Sequence, residues 1–107
     1  MKQPVCLVTG ATGVIGPNLI RALLARDYRV SALVRREIRP DELPAEVEIV
    51  TGDLTDARAL ATAAKDVDVI FHLAAKLHIN DPDPVLADEY HRVNVEGTRL
   101  LLEAARA

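Results

Sequence analysis

VCLVTGATGVIG, residues 5–16, is an apolar run that leads into three glycines spaced three residues apart. Gly10 permits a tight turn out of a strand, Gly13 lets the backbone approach a diphosphate, and Gly16 lets the next helix pack close to the strand. The start of that helix offers backbone N–H groups and a partial positive charge, and Thr12 adds a hydroxyl donor. The stretch therefore predicts a strand–turn–helix unit that binds a dinucleotide, the alternative being a glycine-rich turn that binds nothing.

Short apolar runs alternate with amphipathic helical patterns along the rest of the chain. Because crossovers between parallel strands are right-handed, this order predicts a three-layer, Rossmann-like α/β fold with one parallel sheet in the strand order 3-2-1-4. The predicted strands are 5–8, 29–34, 47–50 and 67–73, the predicted helices are 14–26, 57–65 and 84–106, and the predicted loops are 35–46 and 75–83.

Length and composition restrict the class of protein. The chain has 107 residues, 50% of them hydrophobic, and a formal net charge of −3, which is typical of one small domain with a modest core. It has neither a basic stripe nor a polybasic block, so binding to nucleic acid or to a membrane surface is not expected. Cys6 is the only cysteine, which excludes an internal disulfide and favours a reducing compartment. The first apolar run stops at Gly10, too early for a signal sequence or a membrane span, and a cytoplasmic protein is expected.

Four motifs occur in the order and spacing of one known family: VTGATGVIG at 8–16, GDLTD at 52–56, VIFHLAA at 69–75 and VNVEGT at 93–98. With them the chain resembles the extended short-chain dehydrogenase/reductases, the NAD-dependent epimerase/dehydratase family, and within it the sugar-nucleotide epimerase-like branch. The resemblance implies that the chain is the NAD(P)-binding portion of an oxidoreductase or of a nucleotide-sugar epimerase or dehydratase.

The resemblance also implies which residues contact the cofactor. Asp53 and Leu54 would contact the adenine ring, with Asp53 accepting a hydrogen bond from its amino group. The carboxyl end of the fourth strand would line the ribose and the diphosphate, in agreement with the rule that ligands bind at strand ends beside a topological switch point. Taken without the resemblance, Asp53 is more typical of a helix or turn cap. The implied cofactor-binding residues are Gly10, Thr12, Gly13, Val14, Ile15, Gly16, Arg35, Asp53, Leu54, Leu73, Ala74, Ala75 and Lys76, with Leu77 beside them.

The end of the second predicted strand bears on the choice between NAD and NADP. A carboxylate there accepts both ribose hydroxyls of NAD, whereas an arginine attracts the 2′-phosphate of NADP. The chain has Val34 where relatives that prefer NAD carry Asp, and Arg35 and Arg36 follow. This favours NADP over NAD, with Arg35 as the clamp, the alternative being that both arginines are solvated loop residues.

Four further features are interpreted as structural. His72 lies in a strand and is expected to be a packed core residue rather than a catalyst. Asn94 is expected to bond to backbone near the site, and Gly97 to allow close helix packing. In the last helix, charges that alternate at spacings of three and four predict a solvated face. The opposite face is apolar and is formed by Leu86, Tyr90, Val93, Gly97, Leu100, Leu101 and Ala104.

The catalytic groups of the family, a Ser or Thr and a Tyr-x-x-x-Lys pair, have no counterpart in the sequence. Tyr28 and Tyr90 are followed four positions later by Ala32 and Asn94. No catalytic or metal-ligating residue is therefore nominated. The chain is interpreted as an incomplete dinucleotide-binding domain, 1–107, truncated before a fifth strand, without a substrate domain and inactive alone. A small-molecule substrate is expected only in a longer form.

Two alternatives of other kinds stay open: a non-catalytic module that senses NADP, and a fragment that folds without binding. Whichever function applies, the fourth strand would lack an outer neighbour in this chain. The open sheet edge and the apolar surface beside it predict self-association.

Overall fold

The computed structural model describes residues 3–74 and 91–106. The elements follow the predicted alternation of strands and helices. They are β1 (Val5–Thr9), α1 (Gly16–Ala25), β2 (Arg29–Val34), β3 (Glu48–Thr51), α2 (Ala57–Ala64), β4 (Val69–His72), a π-helical turn (Arg92–Glu96) and α3 (Gly97–Arg106).

The four strands form one parallel sheet in the order β3-β2-β1-β4, which confirms the predicted order. In the register, Val8 of β1 lies between Ala32 of β2 and Phe71 of β4. The chain adds β2 and β3 on one side of β1 and then crosses to the other side for β4. The carboxyl ends of β1 and β4 thus flank the switch point, where a crevice opens.

Both faces of the sheet are covered, so the domain has three layers. Side chains alternate along β1: Cys6 and Val8 face the α1 side, and Leu7 faces α2 and α3. Leu7 and Ile20 are fully buried, and burying such a side chain contributes about 1.5–3 kcal/mol. Burial, followed by the charge of Asp68, raises the pKa of the Cys6 thiol, so it is a packing residue.

The start of α1 differs from the prediction. The helix begins at Gly16 instead of Val14, with Pro17 in its first turn. The side chains of Val14 and Ile15 are 96% and 63% exposed, so these residues are not part of the apolar face assigned to them. They lie in the turn between strand and helix, where helical spacing does not determine which way a side chain points.

The last helix is interrupted where a continuous one was predicted. In the π turn the backbone N–H of Gly97 bonds to the carbonyl of Arg92, five residues earlier, and a regular helix follows. The predicted apolar face from Val93 to Ala104 packs against the α2 side of the sheet, which confirms that part of it. The predicted charged face is also confirmed, because Arg99 pairs with Glu96 and Glu103 in the exposed outer row. Residues 75–90, with the predicted loop and the first part of this helix, lie outside the described residues.

The segment between β2 and β3 contains no helix or strand, as predicted, but it is not simply solvated. Leu43 and Val47 are 6% and 7% exposed, and Ile38 packs against the same core cluster. These apolar residues hold a charged segment against the sheet. In the part of the chain that the structure describes, no helix could cross a membrane, and no group of three acidic, His or Cys side chains could hold a metal ion.

Candidate cofactor site

The turn after β1 is shaped by Gly10. Its φ of +70° lies in the left-handed region, which non-glycine residues rarely adopt. A Cβ on Gly10 would also lie 2.7 Å from the backbone nitrogen of Ala74, at the end of β4. The turn is closed by a hydrogen bond of 3.1 Å from the N–H of Gly13 to the carbonyl of Gly10. Gly10 therefore meets both requirements of this position, a positive φ and close contact between β1 and β4.

Gly16 is required for a different contact than predicted. A Cβ there would overlap the carbonyl groups of Ala11 and Gly10, which belong to the turn, whereas the prediction was close packing of helix on strand. A Cβ on Gly13 would meet only the carbonyl oxygen of Gly10, at 3.3 Å. Gly13 thus has open space above it, which a ligand could use.

The N-terminus of α1 has the features of an anion site. Ile15 occupies the capping position without a side-chain cap, and the first turn contains no acidic residue. The first backbone N–H groups of a helix have no partner within it and carry the positive end of the helix dipole. The turn residues that precede the helix, Thr12 to Ile15, are exposed. A diphosphate could approach these N–H groups without displacing a protein carboxylate.

A crevice of about 440 Å³ extends from this turn across the carboxyl ends of the strands. It brings together seven of the predicted site residues from four separate segments. Val14, Ile15 and Gly16 lie in the adjoining turn, and the side chain of Leu73 packs against the core. Ala75 and Lys76 lie outside the described residues. The predicted residues that line the crevice are Gly10, Thr12, Gly13, Arg35, Asp53, Leu54 and Ala74.

Several lining residues were not predicted from the sequence. Ile38 and Val93 contribute apolar surface, and Arg36 lies beside Arg35. For Ile38, the available sequence signal was that it is an isolated apolar residue within a charged loop. The helical pattern assigns Val93 only to the packing face of the last helix, and its proximity to the crevice depends on tertiary structure.

Asp53 accepts hydrogen bonds within the turn before α2. Its Oδ1 accepts hydrogen bonds of 2.9 Å from both the backbone N–H and the hydroxyl of Thr55. These bonds, the backbone one first, lower the pKa of Asp53, and the charges of Arg92 and Arg35 lower it further. The cap interpretation of Asp53 is therefore observed, and the same carboxylate also lines the crevice. The cap of α2 itself is Asp56, which accepts from the N–H groups of residues 58 and 59.

Leu54 links the crevice to the last helix. Its side chain is 8% exposed and contacts the position of Gly97, where a Cβ would lie 2.9 Å from Leu54 Cδ2. The predicted close packing at Gly97 is confirmed, and Leu54 is the residue it accommodates. Arg92, one turn earlier, donates to the hydroxyl of Thr55 at 3.3 Å.

His72 joins β1, β4 and α3 through both ring nitrogens. Nδ1 lies 2.7 Å from the hydroxyl of Thr9, and Nε2 lies 2.9 Å from the hydroxyl of Thr98. The Thr98 hydroxyl donates to the carbonyl of Asn94, so it accepts from Nε2–H. The Thr9 hydroxyl accepts from the N–H of Ala74, and its proton goes to Nδ1. Burial lowers the pKa of His72 and so favours the neutral ring, and in that ring the hydrogen-bond pattern assigns the proton to Nε2. His72 is thus a half-buried residue whose hydrogen bonds join β1, β4 and α3, and its non-catalytic role stays a prediction.

The two arginines after β2 differ in their surroundings. Arg36 forms an ion pair of 2.9 Å with Glu42, whereas the charge of Arg35 acts on Asp53. The bonds from Arg36 and from the backbone N–H of Arg39 lower the pKa of Glu42 to about 2. Glu42 was not singled out in the sequence, because a contact six residues away in an irregular loop follows no periodic pattern.

Comparison with curated proteins gives relatives that are much longer than this chain. Sterol demethylase protein B of Methylococcus capsulatus is 46% identical over 101 residues, which cover 94% of this chain and 30% of that protein. Ceramide reductase of Caulobacter vibrioides is 41% identical over 96% of this chain and 31% of its own length. The chain thus spans about 30% of the length of these relatives.

Solved structures give the same result for the fold. A short-chain dehydrogenase/reductase superfamily protein from Agrobacterium tumefaciens with bound NAD has a TM-score of 0.78 and 35% identity, over 94% of this chain and 28% of that one. Thermus thermophilus UDP-glucose 4-epimerase in complex with NAD has a TM-score of 0.80 and 32% identity, over 95% of this chain and 33% of that one. The sequence model of the NAD dependent epimerase/dehydratase family matches residues 6–107. With nearly its whole length matched, the chain belongs to the NAD dependent epimerase/dehydratase family.

Proposed function

We propose that this chain is the nicotinamide-dinucleotide-binding portion of an oxidoreductase or epimerase/dehydratase, that it prefers NADP to NAD, and that it has no turnover alone. One observation supports the proposal most strongly. The turn that leads into the uncapped N-terminus of α1, the end of β2 and the Asp53 turn line one crevice of about 440 Å³. That volume is within the usual range for small-molecule and cofactor sites.

The diphosphate is proposed to lie over the turn between β1 and α1. Gly13 leaves open space there, and the backbone N–H groups at the start of α1, except at Pro17, which has none, are the proposed donors. The hydroxyl of Thr12, which lines the crevice, would add one more donor. No acidic side chain in the first turn of α1 opposes a negative ligand. The bound NAD in the Agrobacterium and Thermus structures agrees with this class of ligand.

The adenosine is proposed to lie between the end of β2 and the Asp53 turn. Leu54 and Ile38 supply apolar surface for the base. Asp53 Oδ1 is occupied by Thr55, so its second oxygen, Oδ2, is the proposed acceptor for the adenine amino group. Ala74 would contact the ribose and diphosphate, and Ala75 and Lys76 are proposed to continue that contact.

The preference for NADP rests on the residues that end β2. Val34 offers no carboxylate to the ribose hydroxyls, and the exposed cation of Arg35 lines the crevice beside it. An arginine binds a phosphate through two parallel N–H donors, and a carboxylate at this place would repel one. Arg35 is therefore the proposed clamp for the 2′-phosphate.

The chemistry belongs to a longer protein in this proposal. The sequence lacks the Tyr-x-x-x-Lys pair, so the group that exchanges a proton with the substrate during hydride transfer is proposed to lie in the longer protein. The relatives include a ceramide reductase and 3 beta-hydroxysteroid dehydrogenases, which favours oxidation or reduction of a hydroxyl or keto group over epimerisation. The proposed substrate class for the longer form is accordingly a small-molecule alcohol or ketone.

Calorimetric titration of the purified chain with NADP, NAD and ADP-ribose tests the proposal. We expect saturable binding of all three, with NADP the tightest. Arg35→Asp should reverse the preference, because it replaces a phosphate-binding cation with a ribose-binding carboxylate. Arg29→Asp, an equal change of charge at the opposite end of β2, should leave the ratio of the affinities as it was. If neither NADP nor NAD binds, the proposed function is wrong, and if NAD binds tighter than NADP, the assigned preference is wrong.

A further inference from the structure

The ion pair between Arg36 and Glu42 lies at the rim of the crevice. The two guanidinium nitrogens of Arg36 lie 2.9 Å from Oε1 and 3.3 Å from Oε2 of Glu42, which is a two-point contact between planar groups. The same guanidinium donates to the carbonyl of Glu37 at 3.1 Å. Arg36 also lines the crevice, next to Arg35. One of the two arginines at this end of the sheet is therefore already bound to a carboxylate.

Glu42 is held in place by its own surroundings. Its side chain is 15% exposed, against 62% for that of Arg36. Oε2 also accepts a hydrogen bond of 2.6 Å from the backbone N–H of Arg39. The next residue, Leu43, is 6% exposed in the core, so the backbone that carries Glu42 is anchored to the domain. The carboxylate is thus the fixed member of the pair, and the arginine is the longer and more mobile one.

We propose that Glu42 is a specificity-determining residue, which limits the preference for NADP by holding Arg36 away from the 2′-phosphate. This inference rests on the proposed function. A phosphate at Arg35 must compete with Glu42 for the second guanidinium, and the charge of Glu42 also opposes a phosphate nearby. With Glu42 in place, Arg35 acts alone, and the chain retains measurable affinity for NAD.

A pair of nucleotides that differ only in the 2′-phosphate isolates this effect. The test compares the dissociation constants of 2′,5′-ADP and 5′-AMP for the parent chain and for Glu42→Gln. Glutamine keeps the length of the side chain and can still accept from the N–H of Arg39, but it carries no charge. We expect the variant to bind 2′,5′-ADP about tenfold more tightly, because the released guanidinium of Arg36 can form charge-assisted hydrogen bonds with the 2′-phosphate, with 5′-AMP changed less than about twofold.

Two further variants separate the role of Arg36 from a general change in charge. Glu103→Gln removes the carboxylate of a similar pair, Arg99 with Glu103, on the exposed face of α3. It should leave the ratio of the two affinities unchanged. Arg36→Gln should weaken 2′,5′-ADP binding more strongly in the Glu42→Gln chain than in the parent, since only there is Arg36 released.

The outcomes distinguish this inference from the proposed function. If the parent binds neither nucleotide nor NADP, the proposed function fails. If the parent binds them but Glu42→Gln does not raise the preference for 2′,5′-ADP, the inference alone is wrong. The inference would also be overturned if Glu42→Gln raised the affinity for 2′,5′-ADP equally in the parent and in Arg36→Gln, because the gain would then come from net charge. If Glu42→Gln unfolds the chain, Glu42→Asp keeps the charge but shortens the reach to Arg36, so it tests the release of Arg36 alone. It should still raise the preference for 2′,5′-ADP, though by less than Glu42→Gln, and no rise would overturn the inference.

Discussion

Gly10 is the residue at which β1, the turn and β4 meet. Two features of this position oppose any side chain. The φ is +70°, and a Cβ would lie only 2.7 Å from the backbone nitrogen of Ala74. A flexible neighbour could move aside, but a backbone nitrogen that bonds to Thr9 cannot do so easily. The cost of a substitution at Gly10 should therefore appear in the stability of the domain.

We expect Gly10→Ala to lower the free energy of unfolding by about 2–3 kcal/mol, through backbone strain and the lost contact between β1 and β4. Urea unfolding followed by circular dichroism measures this. Gly13→Ala is the matched control, because its Cβ would meet only one carbonyl oxygen, at 3.3 Å. The control should cost less than about 1 kcal/mol and instead weaken cofactor binding. Equal losses of stability in the two variants would contradict this account of the turn.

The burial of His72 predicts that the free energy of unfolding depends on pH. Burial lowers its pKa from the ordinary value of 6.5, so the folded protein binds this proton more weakly than the unfolded chain does. The stability is therefore complete above pH 6.5 and falls as the pH drops from there towards the folded pKa. The physical cause is burial, which disfavours the charged ring, and the hydroxyls of Thr9 and Thr98 that contact the ring nitrogens are neutral groups.

His72→Gln should flatten the dependence of unfolding free energy on pH between about pH 7.5 and about pH 5.5, a window above the range in which carboxylates titrate. Urea unfolding at several pH values provides the slope. His91→Gln, at an exposed histidine, serves as the control and should keep the slope of the parent. A parent-like slope in His72→Gln would show that the assigned neutral tautomer does not control this dependence.

The Asp53 turn is an element with two roles that substitutions can separate. Asp53→Asn can keep the acceptor for Thr55 but loses the charge, whereas Asp53→Ala loses both. We expect Asp53→Ala to lower the unfolding free energy by about 1 kcal/mol, and Asp53→Asn to lower it less.

Both variants should bind 5′-AMP more weakly than the parent if Asp53 accepts from the adenine amino group. Inosine 5′-monophosphate, which lacks that group, provides the comparison. In the parent 5′-AMP should bind more tightly, and in Asp53→Asn the difference should shrink. A difference that survives in Asp53→Asn would leave Asp53 with the structural role alone.

Elements with a strong local pattern were predictable from the sequence. The strand β2 has the bounds that its apolar run predicts, 29–34, and the cap and helix of α2 follow from Asp56 and the alanine-rich run. The start of α1 was not predictable from spacing, because Val14 and Ile15 fit the apolar face of a helix but lie in a turn. The π turn was not predictable either, since its extra residue leaves the spacing from Val93 to Gly97 helical in appearance.

The candidate site was predictable where a short local motif forms it. The glycine turn and the Asp53 turn are of this kind, and both line the crevice as expected. The links from Thr9 through His72 to Thr98, and from Arg36 to Glu42, join residues whose pairing depends on the folded arrangement of loops and helices. No local pattern in the sequence encodes such a pairing.

At the scale of the whole molecule, the two outer strands of the described sheet are β3 and β4. Each carries an exposed apolar residue: Ile49 is 40% exposed and Val69 is 45% exposed. An unpaired edge with apolar side chains can pair with another copy. Self-association through β4 therefore stays a prediction.

Sedimentation velocity over a range of protein concentrations should show association of the parent chain. Val69→Lys should reduce it, because a charged side chain on an outer strand opposes pairing between edges. Leu102→Lys, at a residue of α3 that is 61% exposed, is the control and should have a smaller effect. A parent that sediments as a monomer throughout, or a larger effect of Leu102→Lys, would contradict association through β4.

The proposed function depends on one interaction, the binding of a diphosphate by backbone amides at the start of α1. Two-dimensional amide NMR spectra, recorded while ADP-ribose is added to the chain, test it most directly. We expect the largest saturable shifts at the amides of Gly13, Val14, Ile15 and Gly16, with smaller ones at Asp53 and Leu54. Binding that shifts other amides and leaves this turn unchanged would contradict it.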